Sequence, residues 1–158
     1  SIMRNSIRFS YGITMVESGG LKVFPAAIAV VRTLRGEELP LVMLIDSGAT
    51  VSAMPKSIAS LLGIKLKAGE PIHIFGIGGR SIRAWRHEIL VTLGNEVIKL
   101  PVAFMNSNNS PRVLGREGIF DQYTVIFEET KQQSAFLGDK TKEADHVQKV
   151  VSRVPLSG

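Results

Sequence analysis

The sequence contains no cysteine among its 158 residues. This absence excludes disulfide scaffolds, thiolate zinc sites and cysteine nucleophiles. There is also no apolar run of about 18 residues, the length that a membrane-spanning helix needs, so no membrane contact is expected. The basic residues 1–9 lack the apolar core of a signal peptide. Together these absences favour a cytoplasmic protein, although a domain excised from a larger protein would show the same pattern.

Aromatic residues are scarce, at 6%, and the positive charge is scattered along the chain. The 19 lysines and arginines exceed the 14 aspartates and glutamates, which gives a formal net charge of +5. Nucleic-acid-binding surfaces combine clustered basic residues with interleaved aromatic side chains, and the sequence has neither. A solvated basic surface is therefore the favoured interpretation, and no nucleic-acid partner is expected.

Several motifs of enzyme chemistry are missing as well. The histidines His73, His87 and His146 have no metal-ligand spacing, and the HExxH pattern does not occur. No GxSxG elbow indicates a serine hydrolase. The glycine-rich segment 76–79 is not followed by the Lys-Ser/Thr of a phosphate-binding loop. We therefore expect no metal and no organic cofactor.

What remains is the composition of one globular domain, with 44% hydrophobic residues. Short apolar segments separated by turn residues predict a mostly β fold. The alternating segment 7–15 predicts one strand, and segment 21–34 predicts another with an edge or bulge at Pro25. The continuous apolar run Leu41–Ile45 is expected to be buried on both faces.

Helices are expected at few places. Pro55 followed by residues 56–62 and Gly63 has the proline-first, glycine-last pattern of a short helix, and residues 117–122 form a second candidate. Hairpins are predicted over residues 71–93 and around the turn at Gly94-Asn95.

The division of the chain follows from its composition. Residues 1–138 are expected to form one domain, and residues 139–158 a polar tail. Whether the tail is a short helix, a linker or disordered is left open by its composition.

The segment most informative about chemistry is LVMLIDSGATVSAMP, residues 41–55. An apolar strand leads directly into Asp46, and burying a carboxylate is costly unless it is paired or hydrogen-bonded. The small residues Ser47, Gly48 and Ala49 allow a tight turn and the close approach of another backbone. An ordinary Asp-Ser-Gly turn would have the same three letters, so the position after the strand strengthens the signal.

This segment resembles the active-site loop of retropepsin-like aspartic proteases, whose pattern is two apolar residues followed by Asp, Ser or Thr, Gly and Ala. Two further segments occur in the order of that family. IFGIGGR, residues 74–80, is similar to its glycine-rich flap, and RVLGRE, residues 112–117, is similar to the apolar-apolar-Gly-Arg motif before its C-terminal helix. The resemblance spans residues 41–127. It implies an all-β closed barrel with a glycine-rich flap hairpin and one or two short helices.

One position departs from the viral members of that family. Those members carry an acidic residue directly after the Ala, and it pairs with the Arg of the C-terminal motif. Thr50 occupies this position here, so Arg116 lacks that partner. In this respect the loop looks more like that of cellular and bacterial single-domain members.

The resemblance implies an aspartic endopeptidase that acts on a peptide or protein substrate. Such chemistry needs two carboxylates that share one proton. The chain has one D-[ST]-G, and Asp121, Asp139 and Asp145 lack its flanking pattern. We therefore expect two copies of Asp46 to meet at the axis of a homodimer. A binding or assembly module with the same fold and weak or no peptidase activity remains the alternative.

The family's site residues are carried over position by position. In the expected active-site loop, Ser47 links the two loops by hydrogen bonds and Gly48 admits substrate backbone. That loop comprises the catalytic aspartate and the four residues after it: Asp46, Ser47, Gly48, Ala49 and Thr50. The expected flap, which closes over the substrate, comprises Gly76, Ile77, Gly78 and Gly79. The expected support of the active-site loop comprises Leu114, Gly115 and Arg116.

Overall fold

The computed structural model describes residues 5–76 and 78–158. Strands dominate this part of the chain, as predicted. The strands are β1 (Ile7–Ser10), β2 (Gly12–Met15), β3 (Leu21–Phe24), β4 (Ala26–Arg32), β5 (Glu38–Ile45), β6 (Ser52–Pro55), β7 (Glu70–Phe75), β8 (Ser81–Leu93), β9 (Glu96–Met105), β10 (Val113–Leu114), β11 (Tyr123–Glu128) and β12 (Gln133–Gly138). The helices are α1 (Lys56–Leu61) and α2 (Lys142–Ser152), with 3-10 turns at Leu66–Ala68 and Glu129–Lys131.

The strands form three sheets. The largest is seven-stranded in the order β4-β5-β10-β6-β9-β8-β7, and an additional pairing of β4 with β8 closes it into a ring that leaves β7 outside. A three-stranded sheet has the order β1-β12-β11, and β2 and β3 form a separate hairpin. The all-β prediction is confirmed, and the predicted closure takes the form of this ring.

The larger hydrophobic cluster draws on the strands of the ring and on β11 and β12. Alternate residues of β4 and β5 are buried and their neighbours face outward, as the pleat of a strand requires. Phe136 of β12 meets Phe9 and Tyr123 edge to face, with ring centroids 5.6 and 5.9 Å away. These three aromatic residues belong to the three-stranded sheet itself, and Tyr123 and Phe136 share the larger cluster with buried residues of the ring, so the sheet packs onto the ring.

The N-terminal segments are more broken than their periodicity predicts. The segment 7–15 divides at Tyr11, whose N–H donates to the carbonyl of Gln132, so β1 pairs with β12 while β2 pairs with β3. The segment 21–34 divides at Pro25, which has no N–H to give to a ladder. The carbonyl of Pro25 accepts a hydrogen bond from the N–H of Ile45.

Two further predictions are wrong. The run Leu41–Ile45 is not buried on both faces, because Val42 points out of the ring and is 39% exposed. Residues 117–122 form turns rather than a helix. Gly118 has φ +79°, and this left-handed conformation interrupts helical geometry.

The helix predicted after Pro55 is confirmed as α1. Pro55 stands at the N-cap, one position earlier than predicted, and Gly63 has the positive φ of a C-terminal glycine, +72°. Part of the predicted polar tail forms α2, where the Thr141 hydroxyl accepts a hydrogen bond from the N–H of Ala144. None of the helices in the described part of the chain has the length and apolar character needed to cross a membrane.

Candidate active site

The aspartate singled out by the sequence lies directly after β5 and is half-buried. The N–H of Asp46 donates to the carbonyl of Leu114 at 3.0 Å. Its Oδ1 accepts a hydrogen bond from the N–H of Gly48 at 2.9 Å, and its carbonyl accepts one from the N–H of Ala49 at 3.2 Å. A short acidic side chain that binds the backbone two residues on stabilises a turn. The carboxylate is therefore oriented by its own loop.

The second support of this loop is the predicted Leu114-Gly115-Arg116 segment. β10 runs parallel to β5, with Leu114 opposite Ile45. Beyond β10, the N–H of Arg116 donates to the carbonyl of Ala49, and the N–H of Glu117 donates to the carbonyl of Thr50, both at 2.9 Å. These two bonds hold the end of the loop, and the bond from Asp46 to Leu114 holds its start. The structure therefore brings the predicted loop and its predicted support together.

Gly115 lies where the two segments approach most closely. A Cβ built on this residue would lie 2.6 Å from the carbonyl carbon and oxygen of Val51, and 2.9 Å from the oxygen of Ala49. Real Cβ atoms essentially never come so close to other atoms. Glycine is required here by space.

Ser52, which the sequence analysis missed, completes the support. Its side chain is fully buried, and its hydroxyl accepts a hydrogen bond from the N–H of Gly115 at 2.9 Å. A buried N–H without an acceptor is costly, so the serine satisfies a group that the close approach of Gly115 would leave unpaired. The only sequence signal is a polar residue at the start of an apolar strand.

The outer part of the loop faces solvent. Ser47, Gly48 and Thr50 are exposed, and Ala49 is half-buried. The Arg116 guanidinium donates to the Thr50 hydroxyl in a long contact of 3.5 Å between exposed side chains. At the position where the resembling viral proteases are expected to form an ion pair, Arg116 of this chain instead donates to an uncharged hydroxyl.

The predicted flap is a β-hairpin in the structure. β7 and β8 are antiparallel up to the pair Phe75 and Ser81. At the tip, the N–H of Gly76 donates to the carbonyl of Arg80 at 3.0 Å. Ile77, the fourth predicted flap residue, lies outside the described residues.

The other two predicted tip residues have a conformation that favours glycine. Gly78 has φ +92° and Gly79 has φ +78°. A Cβ at either position would meet nothing within 4 Å. Glycine is therefore favoured here by backbone conformation, in contrast to Gly115.

A second hydrophobic cluster joins the flap hairpin to the chain beyond Asp46. It consists of buried residues of β8 and β9 with partly buried residues of β6 and β7 and with Val51, which directly follows the active-site loop: Ala84, Ala103, Met105, Val51, Ala53, Ile72 and Ile74. The inner face of the hairpin is thus apolar where it meets the active-site segment.

An ion pair that the sequence did not reveal lies between the flap hairpin and the loop support. The guanidinium Nη2 of Arg86 lies 2.6 Å from the carboxylate Oε2 of Glu117, and these side chains are 35% and 37% exposed. The hydrogen bond to Glu117 raises the pKa of Arg86 above its ordinary value, against a smaller opposing effect of burial. The guanidinium carries its positive charge at every ordinary pH, so the arginine is always able to form the ion pair.

Within residues 5–76 and 78–158, no group of three or more Asp, Glu or His side chains is placed to hold a metal ion. The ring nitrogen Nε2 of His87 is engaged instead with the carbonyl of Leu66, at 2.8 Å.

Comparison with known proteins identifies the family of this chain. The family model described as aspartyl protease matches residues 30–117, a span that contains the Asp46 loop, the flap hairpin and the Gly115-Arg116 segment. The chain therefore belongs to the aspartyl protease family. A search of curated proteins gives no match.

Solved structures add the fold. A retropepsin-like aspartic protease from Rickettsia conorii matches with a TM-score of 0.55 at 16% sequence identity, over 84% of this chain and 98% of that chain. The EIAV protease in complex with the inhibitor HBY-793 matches with a TM-score of 0.46 at 21% identity, over 62% and 86%. The match to the Rickettsia conorii structure confirms the predicted retropepsin-like fold.

Proposed function

We propose that the protein is an aspartic endopeptidase in which the Asp46 carboxylates of two copies of the chain activate a water molecule. The family and the fold support a peptidase-type function. The observation that carries the proposal is the placement of Asp46: it ends a core strand, is oriented by Gly48, and lies in a loop held at both ends by backbone hydrogen bonds.

A second copy supplies the second carboxylate. No other aspartate follows the D-[ST]-G pattern, and Asp121, Asp139 and Asp145 are exposed on other segments. A two-fold axis brings equivalent residues of two chains together. Ser47 and Gly48 are exposed beside Asp46, so they lie on the surface that the second loop would meet.

The proposed reaction needs no covalent intermediate. The ionised Asp46 takes a proton from water as the water oxygen bonds to the scissile carbonyl carbon, while the protonated Asp46 donates its proton to the carbonyl oxygen. Collapse of the tetrahedral intermediate breaks the C–N bond as the nitrogen receives the proton that the first Asp46 took from water. The second Asp46 takes a proton back from a hydroxyl of the intermediate, which yields a carboxylic acid and an amine and restores the starting pair. The carboxylates share one proton because two adjacent negative charges repel each other.

The flap hairpin would cover the substrate. Extended peptides bind readily to exposed backbone by adding a strand, and glycines let a hairpin tip move. Gly76, Gly78 and Gly79 lie at the tip. In this role the hairpin would exclude water and hold the peptide against the carboxylates.

The experiment compares the wild-type protein with Asp46→Asn on a peptide library. Asp46→Asn should lower hydrolysis by at least about 10³-fold, as removal of a catalytic group does, with little change in melting temperature. Asp121→Asn is the matched control and should keep wild-type activity. Hydrolysis retained by pure Asp46→Asn, or full activity in a strictly monomeric protein by sedimentation, would contradict the proposal. A dimeric wild-type protein that binds peptides without cleaving them would instead be the binding module.

A further inference from the structure

The Arg86–Glu117 ion pair joins two parts of the proposed site. Arg86 lies on β8, the second strand of the flap hairpin. Glu117 directly follows the support residues Leu114, Gly115 and Arg116, and its backbone N–H donates to the carbonyl of Thr50 in the active-site loop. A single contact of 2.6 Å therefore links the stem of the flap to the segment that holds the loop of Asp46.

The ion pair lies on the same face of the hairpin as the second hydrophobic cluster. Ile72 is opposite Ala84, and Glu70 is opposite Arg86, in the register of β7 and β8. Residues two apart on a strand share a face, so Arg86 follows Ala84 on the side that packs toward Val51. The flap hairpin therefore makes an apolar contact with Val51 and, farther from its tip, the ion pair of Arg86 with Glu117.

The surroundings of Arg86 favour a fixed side chain. Glu70 and Glu88 also raise the pKa of Arg86, so the guanidinium is attracted by three carboxylates. By contrast, Arg32 and Glu38 on the β4–β5 hairpin are 3.5 Å apart, with side chains 67% and 69% exposed. Exposed pairs of that kind contribute little to stability, whereas partly buried pairs are less screened by solvent.

We propose that Arg86 and Glu117 are positioning residues that fix the stem of the flap hairpin against the Asp46 loop. Their pairing holds the base of β7 and β8 while the tip at Gly78 and Gly79 stays free to move. The height of the closed flap above Asp46 is then set by the ion pair. The catalytic part of this inference rests on the proposed function, and its structural part does not.

The variants separate charge from size. Glu117→Gln keeps the backbone bond to Thr50 and removes the charge, and Arg86→Gln removes the other partner. Arg86→Lys keeps the positive charge as a conservative replacement. The matched control is Glu38→Gln, which breaks the exposed pair with Arg32.

Turnover measures the catalytic part. In Glu117→Gln and Arg86→Gln, kcat/KM per folded dimer should fall by about tenfold or more, since a displacement of about 1 Å can cost about 10²-fold. Arg86→Lys should recover most of this loss, and Glu38→Gln should show none. A lower melting temperature with unchanged kcat/KM would show a merely structural pair and overturn the proposal.

Hydrogen exchange measures the structural part without any activity. Amides of β7 and of β8 near Arg86 should exchange several-fold faster in Glu117→Gln, because local opening becomes easier, while amides of β4 and β5 should not change. Unchanged exchange in β7 and β8 would overturn the positioning role even if Asp46 proves catalytic. Faster exchange in Glu117→Gln, together with a wild-type protein that hydrolyses no peptide, would support the positioning role while the proposed function fails.

Discussion

Two glycine-containing turns of this molecule, the Asp46 loop and the flap tip, are held to very different degrees. The Asp46 loop is bonded to Leu114 of β10 and to Arg116 and Glu117, which follow that strand. At the flap tip, the N–H of Gly76 donates to the carbonyl of Arg80 and the N–H of Gly79 donates to the carbonyl of Gly76, so these bonds stay within the turn itself. The first turn is fixed by partners far along the chain, and the second is set by its own backbone.

This difference shows that glycine serves two purposes in one site. Gly115 is needed because another backbone lies where a Cβ would be, whereas Gly78 and Gly79 have open space and positive φ. Close approach makes a site rigid, and left-handed conformations allow a tight turn without side-chain contacts. A rigid carboxylate loop under a mobile cover is the division of labour that the proposed hydrolysis requires.

The strongest way to break this comparison is Gly115→Ala. Because the new methyl group would meet the backbone of Val51, the loop must shift, and the free energy of unfolding should fall by about 3 kcal/mol. Urea unfolding measures this. Gly20→Ala is the control, since its Cβ would make an ordinary contact of 3.6 Å with Val16. Equal losses in both variants would contradict the account.

A smaller effect is expected from Ser52→Ala. Loss of the hydroxyl leaves the N–H of Gly115 buried without its acceptor, which should cost about 1–3 kcal/mol in the free energy of unfolding. Ser60→Ala removes an exposed hydroxyl from α1 and should change stability by less than about 0.5 kcal/mol. If the two serine variants unfold at the same urea concentration, Ser52 does not support the loop.

The smallest effect on stability, but not on turnover, is expected from replacing both Gly78 and Gly79 by Val. A valine that kept the positive φ would cost about 1–2 kcal/mol of stability per residue. Because the turn is exposed, its backbone can change conformation instead, and the loss of stability is then smaller. Turnover of long peptides should fall more than the melting temperature, because the new side chains obstruct substrate backbone. The control is Gly19→Val in the β2–β3 turn, where φ is +84°, because it adds the same backbone strain away from the flap. Wild-type turnover per folded dimer in the flap variant would refute the flap assignment.

Local chemistry made part of the structure predictable. The flap hairpin, the turn at Gly94 and the end of α1 at Gly63 follow from turn and capping residues that act over a few positions. Asp46 was recognisable because its loop has a distinctive local pattern after an apolar strand. These signals do not depend on the rest of the fold.

Long-range contacts explain what the sequence did not reveal. The division of segment 7–15 is decided by pairing with β12, and Ser52 matters through Gly115, 63 residues away. Likewise, the sequence around Arg86 and around Glu117 contains no pattern that predicts their ion pair. Val42 is exposed, whereas the sequence predicts that it is buried, because a continuous apolar run does not show which face of a strand is covered.

The hydrogen bonds between the Asp46 loop and the segment after β10 also set an order of assembly during synthesis. Ribosomes release the N-terminal part of a chain first. Thr50 and Arg116, which face each other across these bonds, are 66 residues apart. A nascent chain that stops before Leu114 therefore carries the aspartate without the backbone groups that orient its loop. The loop can reach its folded geometry only after translation has passed Glu117.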